Sequence, residues 1–129
     1  MIPHRLALVV LPELYAVCRL DAGASVPPWA IAGSICSITR TAEELSVVCA
    51  QDAVPDGVVC ERGMRCLRVG GTIPFSVVGI LASLTAPLAE AEISVFALST
   101  FDTDYLLVKE RDLAATVDVL RQRGSVVSL

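Results

Sequence analysis

The fold is decided by residues 75–113, FSVVGILASLTAPLAEAEISVFALSTFDTDYLLVKERDL, in which a helical hydrophobic period gives way to two strand-like runs. From Ser76, the predicted N-cap, apolar residues recur along one helical face: Val77, Ile80, Leu81, Leu84, Leu88 and Ala91. Pro87 predicts a bend because it removes a backbone donor inside this helix. Residues 93–100 and 105–110 then predict two strands joined by a short polar loop.

Further elements flank this stretch on both sides. Residues 65–69 predict a strand and 70–75 a loop before the helix, while Asp112 is the predicted cap of a second helix with Leu113, Val117 and Leu120 on its core side. Gly124 ends that helix, and residues 125–129 predict a last strand. The order strand, helix, strand, strand, helix, strand predicts a ferredoxin-like arrangement, an antiparallel sheet with both helices on one face.

The first half of the chain has strands but little helix. Residues 5–11, 15–20, 35–40 and 45–49 predict strands, and the Pro27, Pro28, Trp29 segment permits a short helical turn at most. Residues 41–44 fit both a hairpin turn and a helix-starting capping box. The hairpin is favoured because residues 45–48 are few and partly β-branched. Residues 52–63, rich in Asp, Pro, Gly and Glu, predict a surface connection.

An offset of 60 residues places Ser34 to Asp52 on Ser94 to Asp112. The match is mainly one of hydrophobic pattern, which any two hairpins could share, but it favours a duplicated unit. We therefore expect an α+β chain of tandem ferredoxin-like units, residues 1–60 and 61–129, of which the first is helix-poor.

Composition limits the function. The 129 residues are 54% hydrophobic, carry a formal net charge of -4 and include one lysine, so they form a core but no basic face for nucleic acid. The uncharged stretch from Arg68 to Glu90 is interrupted by glycine and proline, and we expect no membrane span. The beginning of the chain does not resemble a signal peptide. Five cysteines, odd in number and without a C-x-x-C pair, predict buried reduced thiols rather than metal or redox chemistry, hence a cytoplasmic protein.

Signatures of catalysis are scarce. His4 is the only histidine, and the sequence contains no P-loop, no G-x-G-x-x-G and no cluster of His and Cys ligands. Asp102 and Asp104 could ligate a cation, but solvated loop carboxylates are favoured. We expect no enzyme activity, no metal and no cofactor.

Two segments instead predict a binding site for an amino acid. Backbone N–H groups at a helix start formed by Ser76, Val77 and Val78 favour a carboxylate, and Gly79 would permit close approach of a ligand or serve plain packing. The 93–110 hairpin supplies Thr100 as a hydroxyl, Phe101 as an apolar wall and Asp104 as an acceptor for an ammonium group. Alternatively, Phe101 packs under its loop and Asp104 only forms a turn.

Residues 75–113, above all ISVFALSTFDTDYLLV, resemble the ACT-domain family, in the branch of small bacterial tandem-ACT proteins similar to the eukaryotic cytosolic arginine sensor. The resemblance implies a regulatory module that pairs side by side and binds an amino acid at the interface. It points to Ser76, Val77, Gly79, Thr100, Phe101 and Asp104. In the arginine-binding members a carboxylate beside the helix start receives the guanidinium, whereas Val77 here implies a smaller or apolar ligand side chain.

We therefore expect a cytoplasmic, non-catalytic homodimer that binds a small amino acid and acts as a regulator or sensor. The alternative is a dimerisation or adaptor module whose pocket is vestigial. Neither function requires nucleic acid or a membrane as a partner.

Overall fold

The computed structural model describes residues 6–71 and 77–129. The chain divides into two compact units: unit I is Glu13–Met64, and unit II combines Met1–Pro12 with Arg65–Leu129. The strands and α-helices in these residues are β1 (Ala7–Val10), β2 (Tyr15–Leu20), β3 (Ser37–Arg40), β4 (Leu45–Ala50), β5 (Val59–Val69), α1 (Ile80–Glu90), β6 (Phe96–Ser99), β7 (Asp104–Lys109), α2 (Leu113–Gln122) and β8 (Val126–Ser128). The expected units, 1–60 and 61–129, differ from this division in two places: β1 belongs to unit II, and residues 61–64 belong to unit I.

Unit I is an antiparallel sheet in the order β3, β4, β2 and the first part of β5. The segment between β3 and β4 is a hairpin turn, as predicted, because the Thr41 hydroxyl accepts hydrogen bonds from the Glu43 and Glu44 N–H groups, each at 3.1 Å. A 3-10 turn, Pro28–Ile31, replaces an α-helix and buries Ala30 completely. The first unit is therefore helix-poor, as its prolines indicate.

The predicted surface connection over residues 52–63 is wrong in its last part. β5 begins at Val59 and pairs with β2, so that Cys60 lies opposite Cys18. Val59 is 71% exposed, so its own burial does not explain why this segment is a strand. Backbone hydrogen bonding to β2 holds it extended, and that partner is distant in sequence.

Unit II holds the strand order β6, β7, β5, β1, β8. β1 lies between β5 and β8: Leu8 is opposite Val69 in an antiparallel pair and opposite Val127 in a parallel one. The described pairings are otherwise antiparallel. Both helices contribute to one core, in which Leu8, Leu67, Leu84, Leu106 and Leu120 are at most 1% exposed. The unit is thus ferredoxin-like with one additional central strand supplied by the start of the chain.

The first helix of unit II begins later than predicted. Gly79 is its N-cap, with a left-handed φ of 84°, and the Ser83 N–H donates to the Gly79 carbonyl at 2.9 Å. The predicted cap, Ser76, lies outside the described residues. Gly79 therefore precedes the helix instead of lying one turn inside it, because its left-handed backbone conformation does not continue into a right-handed helix.

The second helix begins and ends where predicted, although the side chain of Asp112 makes no capping hydrogen bond. Asp112 occupies the N-cap position of α2, and the Thr116 hydroxyl donates to the Asp112 carbonyl at 2.8 Å. Gly124 follows the helix with φ 96°, as its role in ending the helix requires. No helix in residues 6–71 and 77–129 is both long and apolar enough to cross a membrane.

Candidate functional site

A cleft of about 250 Å³ in unit II lies between the start of α1 and the loop that joins β6 to β7. The helix side contributes Val77, Gly79, Ile80 and Leu81. The hairpin side contributes six consecutive residues, Ser99, Thr100, Phe101, Asp102, Thr103 and Asp104. Apolar groups therefore predominate on one side of the cleft, and hydroxyl and carboxylate groups on the other.

The helix side of the cleft is electropositive. The Ser83 N–H bonds to the Gly79 carbonyl, so the N–H groups of Ile80, Leu81 and Ala82 precede the first hydrogen bond of the helical ladder. Such N–H groups carry the positive end of the helix dipole. Because Ile80 and Leu81 line the cleft, its helix end suits a negatively charged ligand group.

The hairpin side is held by hydrogen bonds within its own loop. Ser99 and Asp104 form the last strand pair, and the Thr100 N–H donates to the Thr103 carbonyl at 2.8 Å. The Thr100 hydroxyl donates to the same carbonyl at 3.1 Å and accepts from the Thr103 N–H at 3.3 Å. These bonds fix the loop locally, without help from a ligand.

Thr103 also ties the hairpin loop to the middle of unit II. Its side chain is buried, and its hydroxyl donates to the carbonyl of Val69, the last residue of β5, at 2.8 Å. This bond places the loop beside the point at which the chain leaves β5 toward α1. The local sequence pattern does not indicate this role, because a threonine in a polar loop is ordinarily solvated.

Two carboxylates stand at the polar side of the cleft. Asp104 is partly buried, and its Oδ1 accepts a hydrogen bond from the Ser99 hydroxyl at 2.7 Å. Asp102 is exposed, as expected, yet it lines the same cleft. The cleft therefore has acidic groups opposite a helix N-terminus, an arrangement that can receive a ligand bearing both charges.

Five of the predicted residues meet at this cleft: Val77, Gly79, Thr100, Phe101 and Asp104. Val78 is 72% exposed and is not among the lining residues, and Ser76 is not in the described part of the chain. Phe101 is 81% exposed, so its ring is at the rim and does not pack beneath the loop.

The sequence missed five lining residues: Ile80, Leu81, Ser99, Asp102 and Thr103. Helical periodicity had identified Ile80 and Leu81, but only as core residues. Ile80 is indeed buried, while Leu81 is partly exposed, so each can serve both the core and the cleft.

Comparison with known proteins gives matches on both parts of the chain. The family model described as an ACT domain matches residues 59–122, and a second model, described as an N-terminal domain, matches residues 13–57. The human protein named cytosolic arginine sensor for mTORC1 subunit 1 is 40% identical over 60 residues, which are 46% of this chain and 18% of that protein. The chain thus matches less than a fifth of the length of that relative.

Solved structures extend the similarity to nearly the whole chain. The crystal structure of a protein from Agobacterium tumefaciens is 40% identical, with a TM-score of 0.90 and coverage of 95% of this chain and 92% of that one. The regulatory subunit of aspartate kinase from Thermus thermophilus is 8% identical, with a TM-score of 0.63 and coverage of 92% and 97%. At that identity the second likeness concerns the fold alone.

Replacing Gly79 should destabilise the chain. Gly79→Ala places a side chain at φ 84°, a conformation that costs a non-glycine residue about 1–3 kcal/mol. Urea unfolding should show a lower midpoint with an unchanged slope. The matched control is Gly23→Ala, since a methyl group at Gly23 has open space around it and the backbone φ there is not positive. Equal midpoints for the two variants would contradict the assigned backbone geometry.

Proposed function

The chain belongs to the ACT-domain family, and from this premise we propose that it is a non-catalytic regulatory protein that binds a small free amino acid. The observation that carries the proposal is the cleft of unit II, where the start of α1 faces the Asp104 side of the hairpin. An amino acid presents a carboxylate and an ammonium group close together. The cleft has one electropositive and one acidic side to match them.

The carboxylate of the ligand would bind at the start of α1. The N–H groups of Ile80 and Leu81 precede the helical hydrogen-bond ladder, so they can donate outward without breaking a helical bond. Gly79 has no side chain to obstruct the approach to these groups. This assignment uses backbone donors, and it therefore needs no basic side chain in the cleft.

The ammonium group would bind at Asp104. Oδ1 of this residue already accepts from Ser99, which holds the carboxylate in one orientation at the end of the β6–β7 pair. A partly buried carboxylate in a fixed orientation loses less conformational entropy on binding than a solvated, mobile one. Asp102 adds negative charge at the exposed end of the same loop, where water screens it more effectively.

The ligand side chain would contact Val77, which is 41% exposed, and Leu81. Both residues line the helix side of the cleft. These groups offer apolar contact and no charge. A small or apolar side chain is therefore favoured over a guanidinium, which would be poorly paired beside Val77.

Homodimerisation is part of the proposal. Phe101 is 81% exposed and Val77 41% exposed at the rim of the cleft, so a single chain leaves much of the apolar surface there uncovered. A second copy would supply the missing wall, as the interfacial binding expected of ACT domains implies.

All five cysteines are free, which supports placing the protein in the reducing cytoplasm.

A thermal-shift screen of the twenty amino acids, followed by calorimetry, tests the ligand class. We expect a neutral amino acid to bind best and arginine to bind no better than leucine or threonine. A ligand at 100 times its Kd stabilises the protein by about 2.7 kcal/mol, enough to shift Tm clearly. A marked preference for arginine would mean that Asp102 pairs with the guanidinium. If no amino acid bound, the vestigial-pocket alternative would replace this proposal.

Asp104→Asn should weaken binding of the ligand from that screen by about tenfold or more. The reason is that a charge-assisted hydrogen bond contributes about 1.5–3 kcal/mol, whereas an amide keeps an oxygen to accept from Ser99 and so preserves the hairpin. The matched variant is Asp102→Asn, in the same loop but exposed, which should change the affinity much less. Calorimetric titration measures the ligand affinity of both variants. Wild-type affinity in Asp104→Asn would refute the assignment of the ammonium group to Asp104.

Light scattering at micromolar concentration tests the dimer. We expect twice the mass of one chain, both with and without the ligand, because the exposed rim of the cleft is apolar. A monomer under both conditions would exclude a second copy as the missing wall of the site.

A further inference from the structure

Four of the five cysteines form a row across the sheet of unit I. The sheet has four strands in the spatial order β3, β4, β2, β5, and one cysteine belongs to each. Cys36 immediately precedes β3, and the other three lie within their strands: Cys49, Cys18 and Cys60. The fifth, Cys66, is buried in unit II. The expectation that all these thiols are buried is wrong for two of them, because Cys36 is exposed and Cys60 is partly exposed.

Cys18, Cys49 and Cys60 share one face of the sheet. Cys18 and Cys60 are directly opposite in the antiparallel β2–β5 pair. Cys49 is opposite Ala16, two residues from Cys18 on the same side of β2, so the Cys18 and Cys49 side chains share a face. Burial and, to a smaller extent, the neighbouring Cys49 and Cys60 thiols together raise the pKa of the Cys18 thiol to about 12. The row is thus compact enough for its thiols to interact.

The strand register places Cys18 and Cys60 at the Cα separation that a disulfide needs. Directly opposed residues of an antiparallel pair have Cα atoms about 4.5–5.5 Å apart, which falls within the range of about 4.4–6.8 Å found for disulfides. A metal is a poorer fit, because among the described residues no group of three or more His, Cys, Asp or Glu side chains could hold one. Two thiols at directly opposed strand positions are suited to forming a disulfide with each other.

We propose that Cys18 and Cys60 form an oxidisable dithiol, a redox modification site in unit I that a hydroperoxide converts to a disulfide. The sulfur of the partly exposed Cys60 attacks the peroxide, the O–O bond breaks, and Cys60 becomes a sulfenic acid, while the leaving oxygen takes up the Cys60 thiol proton and departs as the first water. The Cys18 sulfur then attacks the Cys60 sulfur, the S–O bond breaks, and water leaves with the Cys18 proton. Two thiols lose two electrons in total, and hydrogen peroxide is reduced to two waters.

Burial assigns different roles to the two sulfurs. Cys18 is 2% exposed and its pKa is raised by that burial, so it remains a protonated thiol that peroxide scarcely reaches. Cys60 lies on the last strand of unit I and is accessible to a small oxidant. Cys18 is then the resolving thiol, held opposite the sulfenic acid by the strand register.

The exposed Cys36 is the built-in comparison within the same unit. It immediately precedes β3. Burial raises the pKa of the Cys49 thiol, and the neighbouring Cys36 thiol raises it as well. An exposed thiol reacts with peroxide whether or not a partner is in register. Oxidation of Cys36 therefore reports that the peroxide was effective, independently of the proposed pair.

The test is mass-spectrometric mapping of the full native chain after incubation with hydrogen peroxide. Free thiols are alkylated in denaturant, and the chain is digested without reduction. Trypsin alone leaves Cys49 and Cys60 in one peptide, because residues 41–61 contain no Lys or Arg; additional cleavage before Asp52 or Asp56 separates them. We expect a peptide pair linked through Cys18 and Cys60, which disappears on reduction.

Cys60→Ala should abolish this linked pair, and Cys66→Ala, a buried cysteine in the other unit, should leave it unchanged. Oxidation of Cys36 without a Cys18–Cys60 link in the wild-type protein would overturn the proposal, as would a Cys18–Cys49 link in its place. The mapping needs no amino acid ligand, so its result is independent of the binding proposed for the cleft of unit II.

Discussion

β5 is the strand on which both units depend. It is eleven residues long, and its backbone groups must find hydrogen-bonding partners along that whole length. Its first part pairs with β2 and completes the sheet of unit I, while its last residues pair with β1 in unit II. The boundary between the units falls within this strand, after Met64. Loss of the strand would remove a member from each sheet.

The cleft follows from what lies next to the end of β5. The buried Thr103 hydroxyl bonds the Val69 carbonyl and thereby holds the hairpin loop at the strand end. Gly79, with its left-handed backbone, starts α1 on the other side of the cleft. Buried polar groups such as the Thr103 hydroxyl are costly unless they are satisfied, so this bond specifies the loop position more strongly than an exposed one would. The Thr103–Val69 hydrogen bond and the Gly79 backbone thus position the two sides of the cleft.

The two units differ in chemistry as well as in architecture. Unit II has a helix-flanked core and a cleft with charged and apolar sides, which suits reversible recognition of a small zwitterion. Unit I has almost no helix and a row of thiols through its sheet. Its core is completed by side chains around Ala30 and Leu45, both fully buried. The proposed ligand site and the proposed oxidisable pair therefore belong to different units of one short chain.

The sequence by itself determined the local elements. Hydrophobic period, proline and glycine positions identified both helices, the strands around Thr41 to Glu44 and the β6–β7 hairpin, because these depend on neighbours in the chain. It also selected five residues of the cleft, since a helix start and a hairpin tip are recognisable locally. Tertiary structure alone decided that β1 lies between β5 and β8, that β5 begins at Val59 and that Thr103 is buried. Each of these depends on backbone or side-chain partners that are distant in sequence, and hydrophobic periodicity carries no information about which distant partner a strand or hydroxyl will find.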